Sequence, residues 1–147
     1  MNKRRRSGRP APPVNSLVFS FLQTAGAVEA RLEEAVSSAG LSLAKLGVLR
    51  FLAGANRPVP LSELAAVQHC VRSNITQLVD RLEKDGLVRR RPDPDDRRGV
   101  LAGLTPAGEQ AHAKGMRALA EAQHVIMSGL KANEVANLKS ALKALKS

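Results

Sequence analysis

The apolar positions change period several times along the chain, and each change marks an element. From Val14, the residues Val14, Leu17, Val18, Phe21, Leu22, Ala25, Val28, Leu32 and Val36 recur at three- and four-residue steps. That spacing predicts a long amphipathic helix over 14–40, with Gly40 placed to stop it. Ser42 then precedes Leu43, Leu46, Leu49 and Leu52, a second helix that Ser42 can cap and that the stretch from Gly54 to Pro60 closes. In Pro60-Leu61-Ser62-Glu63-Leu64-Ala65 the serine is placed to cap a short third helix.

Over Arg72 to Asp85, the residues Ile75, Leu78, Val79 and Leu82 fall on one helical face, and Ser73, Asn74, Thr76, Gln77, Asp80 and Arg81 lie largely opposite. Gly86 ends this fourth helix. Two strand-like runs follow, Leu87 to Arg91 and Val100 to Leu104, with the polar stretch Pro92 to Gly99 between them, which predicts a β-hairpin with a charged tip. Thr105-Pro106-Ala107-Gly108-Glu109 supplies a cap, a proline at the first helical position and an acidic first turn for a helix reaching about Leu130. Asn133 is placed to cap a last helix through Leu145. The expected fold class is mainly α (α+β), and two short helices followed by a hairpin are the components of a winged helix-turn-helix.

Composition narrows the partners. Lys and Arg total 23 against 13 Asp and Glu, a net charge of +10, which points to polyanions. There is no Trp or Tyr, and the aromatics are Phe19, Phe21 and Phe51, so stacking platforms for single strands are largely missing and duplex DNA is favoured. No stretch approaches the ~18 apolar residues that span a bilayer, and the basic N-terminus runs into prolines rather than an apolar signal core, so no membrane partner and a cytoplasmic location are expected. Residues 1–13, MNKRRRSGRPAPP, read as a flexible basic arm.

The segments GLSLAKLGVLRFLAG, LSELA, RSNITQLVDRLEKDGLVRR, DPDDRR and LTPAG occur in an order and spacing that resembles the MarR family of transcriptional regulators, over roughly residues 40 to 115. The expected organisation is the arm, an N-terminal dimerisation helix over 14–40, a DNA-binding lobe over 41–104 and C-terminal dimerisation helices over 105–147. The resemblance implies N- and C-terminal helices that interlock across a two-fold axis, with Phe21, Leu22, Val28, Leu119, Ile126, Leu130, Leu138, Leu142 and Leu145 in the seam. It also implies repression of a pseudo-palindromic operator, relieved by a small, often aromatic or phenolic ligand bound between the dimer helices and the DNA-binding lobe. No cofactor is expected.

Ser73, Asn74, Thr76 and Gln77 stand in the first turns of the recognition helix, where short polar side chains reach phosphates and a Gln pairs bidentately with adenine. Arg72, Arg81, Arg89, Arg97 and Arg98 complete the expected DNA-contacting set, and Arg90 and Arg91 add phosphate charge. Family members often carry Arg where this chain has Gln77, a departure that bears on base preference. By the resemblance, the final Arg of the tip motif, Arg98, enters the minor groove and Asp96 orients it. An Arg there keeps its charge and offers a planar donor fork to the concentrated negative potential of a narrow groove.

Single residues admit other readings. Cys70 invites a redox switch, yet its place between the two helices matches a position usually apolar in the family, and buried thiols are commonly unreactive. His69, His112 and His124 lack the spacing of a metal site. An enzyme is disfavoured by the lack of a nucleophile motif, a phosphate-binding Gly loop or paired carboxylates. A sequence-tolerant architectural DNA binder remains the alternative.

Overall fold

The structure is a computed structural model that describes residues 16–68 and 72–146. The basic arm, His69 and Cys70 lie outside the described residues, as do the side chains of Arg72 and Ser73. The chain runs α1 (Leu17–Ser37), α2 (Leu43–Ala55), β1 (Val59–Pro60), α3 (Leu61–Val67), α4 (Arg72–Lys84), β2 (Val88–Asp93), β3 (Asp96–Leu104), α5 (Pro106–Met127) and α6 (Ala132–Leu145). This is a mainly helical winged helix-turn-helix with a small antiparallel sheet, in which the long N- and C-terminal helices α1 and α5 pack together.

Helix ends follow local chemistry, with instructive exceptions. Ser42 caps α2 by accepting from the Lys45 N–H at 3.1 Å, and Thr105 caps α5 by accepting from Gly108 N–H at 3.0 Å, both as expected. Helix α1 starts at Leu17 behind Ser16, whose hydroxyl accepts from the Phe19 N–H. Helix α2 passes through Gly54 and stops where Asn56 takes a left-handed φ of 51°. Ser62 falls inside α3, which begins at Leu61 after Pro60 with no side-chain cap, because proline already fixes the entry angle. Asn133 likewise lies inside α6, whose first turn is closed by Glu134 accepting from the Lys131 N–H at 2.7 Å.

The sheet order is β1-β3-β2, with Val59↔Ala102 and Pro60↔Leu101 adding a third strand that the sequence did not suggest. A two-residue strand that follows Pro58 and ends on Pro60 carries no alternation to read, and proline is tolerated only at such an edge. The core gathers one face from each element of the lobe: Val36, Leu41, Leu46, Leu49, Val59, Leu64, Ile75, Val79, Leu82, Val88 and Ala102 are all buried. Met116 and Leu119 of α5 pack against it only partly buried.

One junction ties the lobe to the long helix. Beyond the last residue of α4, Gly86 takes a φ of 75°, and the Leu87 N–H donates back to the Leu82 carbonyl at 2.9 Å. Thr105 N–H donates to the Leu87 carbonyl at 3.2 Å, and the Thr105 hydroxyl donates to the Gly86 carbonyl at 2.6 Å. Helix α5 passes so close that a Cβ on Gly108 would lie 2.0 Å from the Leu87 oxygen.

Gly108→Ala therefore forces backbone apart at this junction, although alanine is the better helix former. The expected cost is about 1–3 kcal/mol, typical of overpacking. A lowered urea midpoint with an unchanged slope measures it, and a midpoint at or above that of the parent protein contradicts the packing described.

Candidate nucleic-acid interface

Helix α4 is the most sharply two-sided element. With Ile75, Val79 and Leu82 fully buried, the helix cannot rotate, so Asn74, Gln77 and Arg81, at i, i+3 and i+7, share an exposed outer row. Thr76 departs from that row. It is half-buried and lines the cleft where α3, α4 and the wing meet, together with Ser62, Arg90 and Asp96.

The wing projects beside this helix. Its tip is shaped by two carboxylates that each accept a main-chain N–H two residues on: Asp93 from Asp95 at 2.9 Å and Asp96 from Arg98 at 3.0 Å. Asp96 thus holds the backbone at Arg98, where the family resemblance implies a carboxylate that orients the guanidinium. A short side chain reaches its own turn at little entropic cost, whereas holding a long arginine would immobilise several torsions. Arg97 and Arg98 are exposed, and among the described residues neither enters an ion pair.

The three consecutive arginines of β2 part company. The register Val88↔Leu104, Arg89↔Gly103, Arg90↔Ala102, Arg91↔Leu101 puts Arg90 on the inner face with Val88 and Ala102. From there its guanidinium pairs with Asp80 and with Glu83, the latter at 3.0 Å, while its N–H donates to Glu83 at 2.7 Å. The backbone N–H and the guanidinium of Arg90 hold the Glu83 carboxyl below the usual glutamate range, and Glu83 in turn raises Arg90. Arg90 is therefore a brace between wing and recognition helix, not a free phosphate charge. Arg89 and Arg91 point to the outer face and are exposed. Strand alternation separates them only once Val88 is known to face the core.

The residues expected in the dimer seam are spread along the terminal helices. Phe21 is 42% exposed, Leu22 57% and Leu145 69%, and Leu130, Leu138 and Leu142 are exposed as well. Val28, Leu119 and Ile126 are half-buried, and Leu119 partly serves the core. Helix α6 has no buried residue. His112 is half-buried with an unpartnered Nε2, His124 is exposed, and among the described residues no group of three metal-ligating side chains comes together. No described helix is long and apolar enough to cross a membrane.

Two measurements check this geometry. Asp96→Asn keeps an oxygen for the Arg98 N–H and should leave wing order intact, whereas Asp96→Ala should raise amide exchange at residues 96–99; equal exchange in the two variants removes the turn from its assigned role. Glu83 has a depressed folded pKa, so its contribution is present above the ordinary glutamate pKa and is lost as pH falls through the lower folded value. Urea denaturation between pH 7 and 3 should show a steeper loss for the parent protein than for Glu83→Gln. The pair is about a third exposed, so the difference is modest.

Residues 39–99 match a model of the MarR family. The multiple antibiotic resistance protein MarR of Escherichia coli (strain K12) is 34% identical over 118 residues, covering 76% of this chain and 78% of that protein. The MarR of Salmonella typhimurium is 36% identical over 97 residues, and the match spans 63% of each chain, just under two thirds of that relative's length. Among solved structures, a mutant MarR from E. coli complexed with operator DNA superposes with a TM-score of 0.76 at 28% identity, covering 88% of this chain and 92% of that one. With the helix-turn-helix, the wing and the joining of α1 to α5 already in place, these likenesses have one reading: the chain belongs to the MarR family of winged helix-turn-helix transcriptional regulators.

Proposed function

We propose that the protein is a sequence-specific double-stranded DNA-binding regulator, a homodimeric repressor relieved by a small ligand. The observation that carries the reading is the exposed row Asn74, Gln77, Arg81 on a helix locked by its buried face, flanked by a wing whose tip arginines have no ion-pair partner among the described residues. In this reading α4 enters the major groove, with Arg72 and Ser73 at its start and Gln77 reading a base edge. Arg98 enters the flanking minor groove, Arg97 meets phosphate, and Asp96 sets the turn from which both project. The MarR complex with operator DNA supports this use of the fold.

Residues 41–104 form the DNA-binding lobe in this account, and 14–40 with 105–147 the dimerisation helices. The apolar side chains left uncovered on α1, the end of α5 and α6 support a second copy as their cover, since a monomer rarely leaves such a surface in water. A cleft of about 400 Å³ between α2, β3 and α5, bordered by Leu52, Arg57, Leu104, Glu109 and His112, supports a small-molecule site at the junction of lobe and long helix. The direction of regulation and an aromatic or phenolic effector rest on the family resemblance.

Sedimentation should give a dimer without DNA, and Leu138→Asp or Leu142→Asp should dissociate it; a persistent monomer at micromolar concentration overturns the seam. On a pseudo-palindrome with half-sites about one helical turn apart, Gln77→Ala should lose roughly 1–3 kcal/mol of base discrimination. Equal weakening on every sequence makes Gln77 a phosphate contact instead. Arg98→Ala should weaken specific binding with the dimer intact, and Arg98→Lys should rescue it poorly because the planar fork is gone. Fluorescence anisotropy on A·T-rich and G·C-rich flanks reads this, and parent-like affinity on both at every salt concentration returns the tip to the status of a solvated loop.

A further inference from the structure

The outer face of the wing is left over once the recognition row, the tip and the Arg90 brace are assigned. Arg89 and Arg91 stand two residues apart on β2 and share that face. Both are exposed, and among the described residues neither is engaged in an ion pair. Gly103 lies opposite Arg89 and contributes no side chain, so the two arginines border an open concavity of about 150 Å³ with Pro58, Gly103 and Leu104. No carboxylate borders it. It is a shallow, one-signed cationic surface, complementary to phosphate.

Distance along the strand decides which phosphates. The hairpin turns at Pro94 and Asp95, so at ~3.3 Å per residue Arg91 stands roughly 10 Å and Arg89 roughly 17 Å back from the turn. A minor groove is about 7.5 Å deep. With Arg98 seated in that groove, Arg91 stands near its rim and Arg89 beyond it. A duplex whose flank bends toward the protein comes alongside Arg91 first and Arg89 next.

We propose that Arg89 and Arg91, on the outer face of the wing, hold the phosphate backbone of DNA flanking the operator as it bends toward the protein. The inference rests on the tip occupying the minor groove. The flank is favoured over a second duplex because it is tethered to the bound site, so its effective concentration at the wing is high without a second encounter. Two charge contacts per wing repay only a shallow bend, since bending cost rises with angle.

The test compares two duplexes carrying the same palindrome, one ending at the wing and one longer by about 10 bp on each side. The parent protein should bind the longer duplex more tightly by roughly fivefold per wing, the worth of a pair of screened ion pairs. Its salt slope there should be steeper by about 1.8 per wing, from two more neutralised phosphates. Fluorophores on the ends of the longer duplex should approach each other on binding. Arg89→Ala with Arg91→Ala should abolish the gain, the extra slope and the approach of the ends, and so lose more affinity on the longer duplex than on the short one. Three results overturn the proposal: the double variant keeps the gain; it loses equally on both lengths, which places these arginines on the operator itself; or the gain reappears when free duplex is added to the short complex and sediments as a bridged species. Arg98→Ala should weaken binding to both lengths, and the absence of that loss tells against the tip assignment alone.

Discussion

The buried face of α4 is the constraint on which the rest depends. Ile75, Val79 and Leu82 are fully enclosed by the core, and each buried branched side chain of this size is worth about 1.5–3 kcal/mol relative to exposure. Rotating the helix by a single residue would trade those three for polar groups without partners. The outward direction of Asn74, Gln77 and Arg81 is thus enforced from the opposite side of the helix, by residues that never approach a ligand. The exposed row is held rigid at no cost to its own chemistry, since its side chains carry none of the packing.

The orientation of that helix relative to the rest of the protein is set at a second place. Where α4 ends, the carbonyls of Gly86 and Leu87 are taken up by Thr105, and Gly108 lets α5 ride against the same backbone. Recognition helix, first wing strand and long C-terminal helix therefore meet at one hydrogen-bonded point. Any shift of α5 is passed to the lobe through backbone, which deforms less readily than side-chain packing. The cleft between α2, β3 and α5 opens beside this junction, so an occupant there would press on the point where α5 meets the lobe.

Charge is sorted as sharply as hydrophobicity. The inner arginine of β2 is consumed in bracing the wing to Asp80 and Glu83, while the tip and outer face keep their guanidinium groups exposed. The same residue type is a strut at one position and an exposed charge at the next, and only the face of the strand distinguishes Arg90 from Arg89 and Arg91. A net charge of +10 therefore overstates what is available to a polyanion on any one surface.

The sequence by itself determined the order and type of every helix, the hairpin, the buried face of α4 and the caps at Ser42 and Thr105, because periodicity and capping are local and act within a few residues. The family, too, was legible in five short segments in register. Tertiary structure decided what depends on partners distant in the chain. It added β1, whose two residues gain strand character only by pairing with Leu101 and Ala102. It overrode Ser62 and Asn133 as caps, since the entry of α3 is fixed by Pro60 and that of α6 by Glu134. It moved Asp96 from the Arg98 side chain to the Arg98 backbone, and it split one run of arginines between a brace and an outer surface. Like charges adjacent in sequence look equivalent until a register is chosen, and register is set by which neighbours are buried across the sheet, a property of the folded core that no local pattern contains.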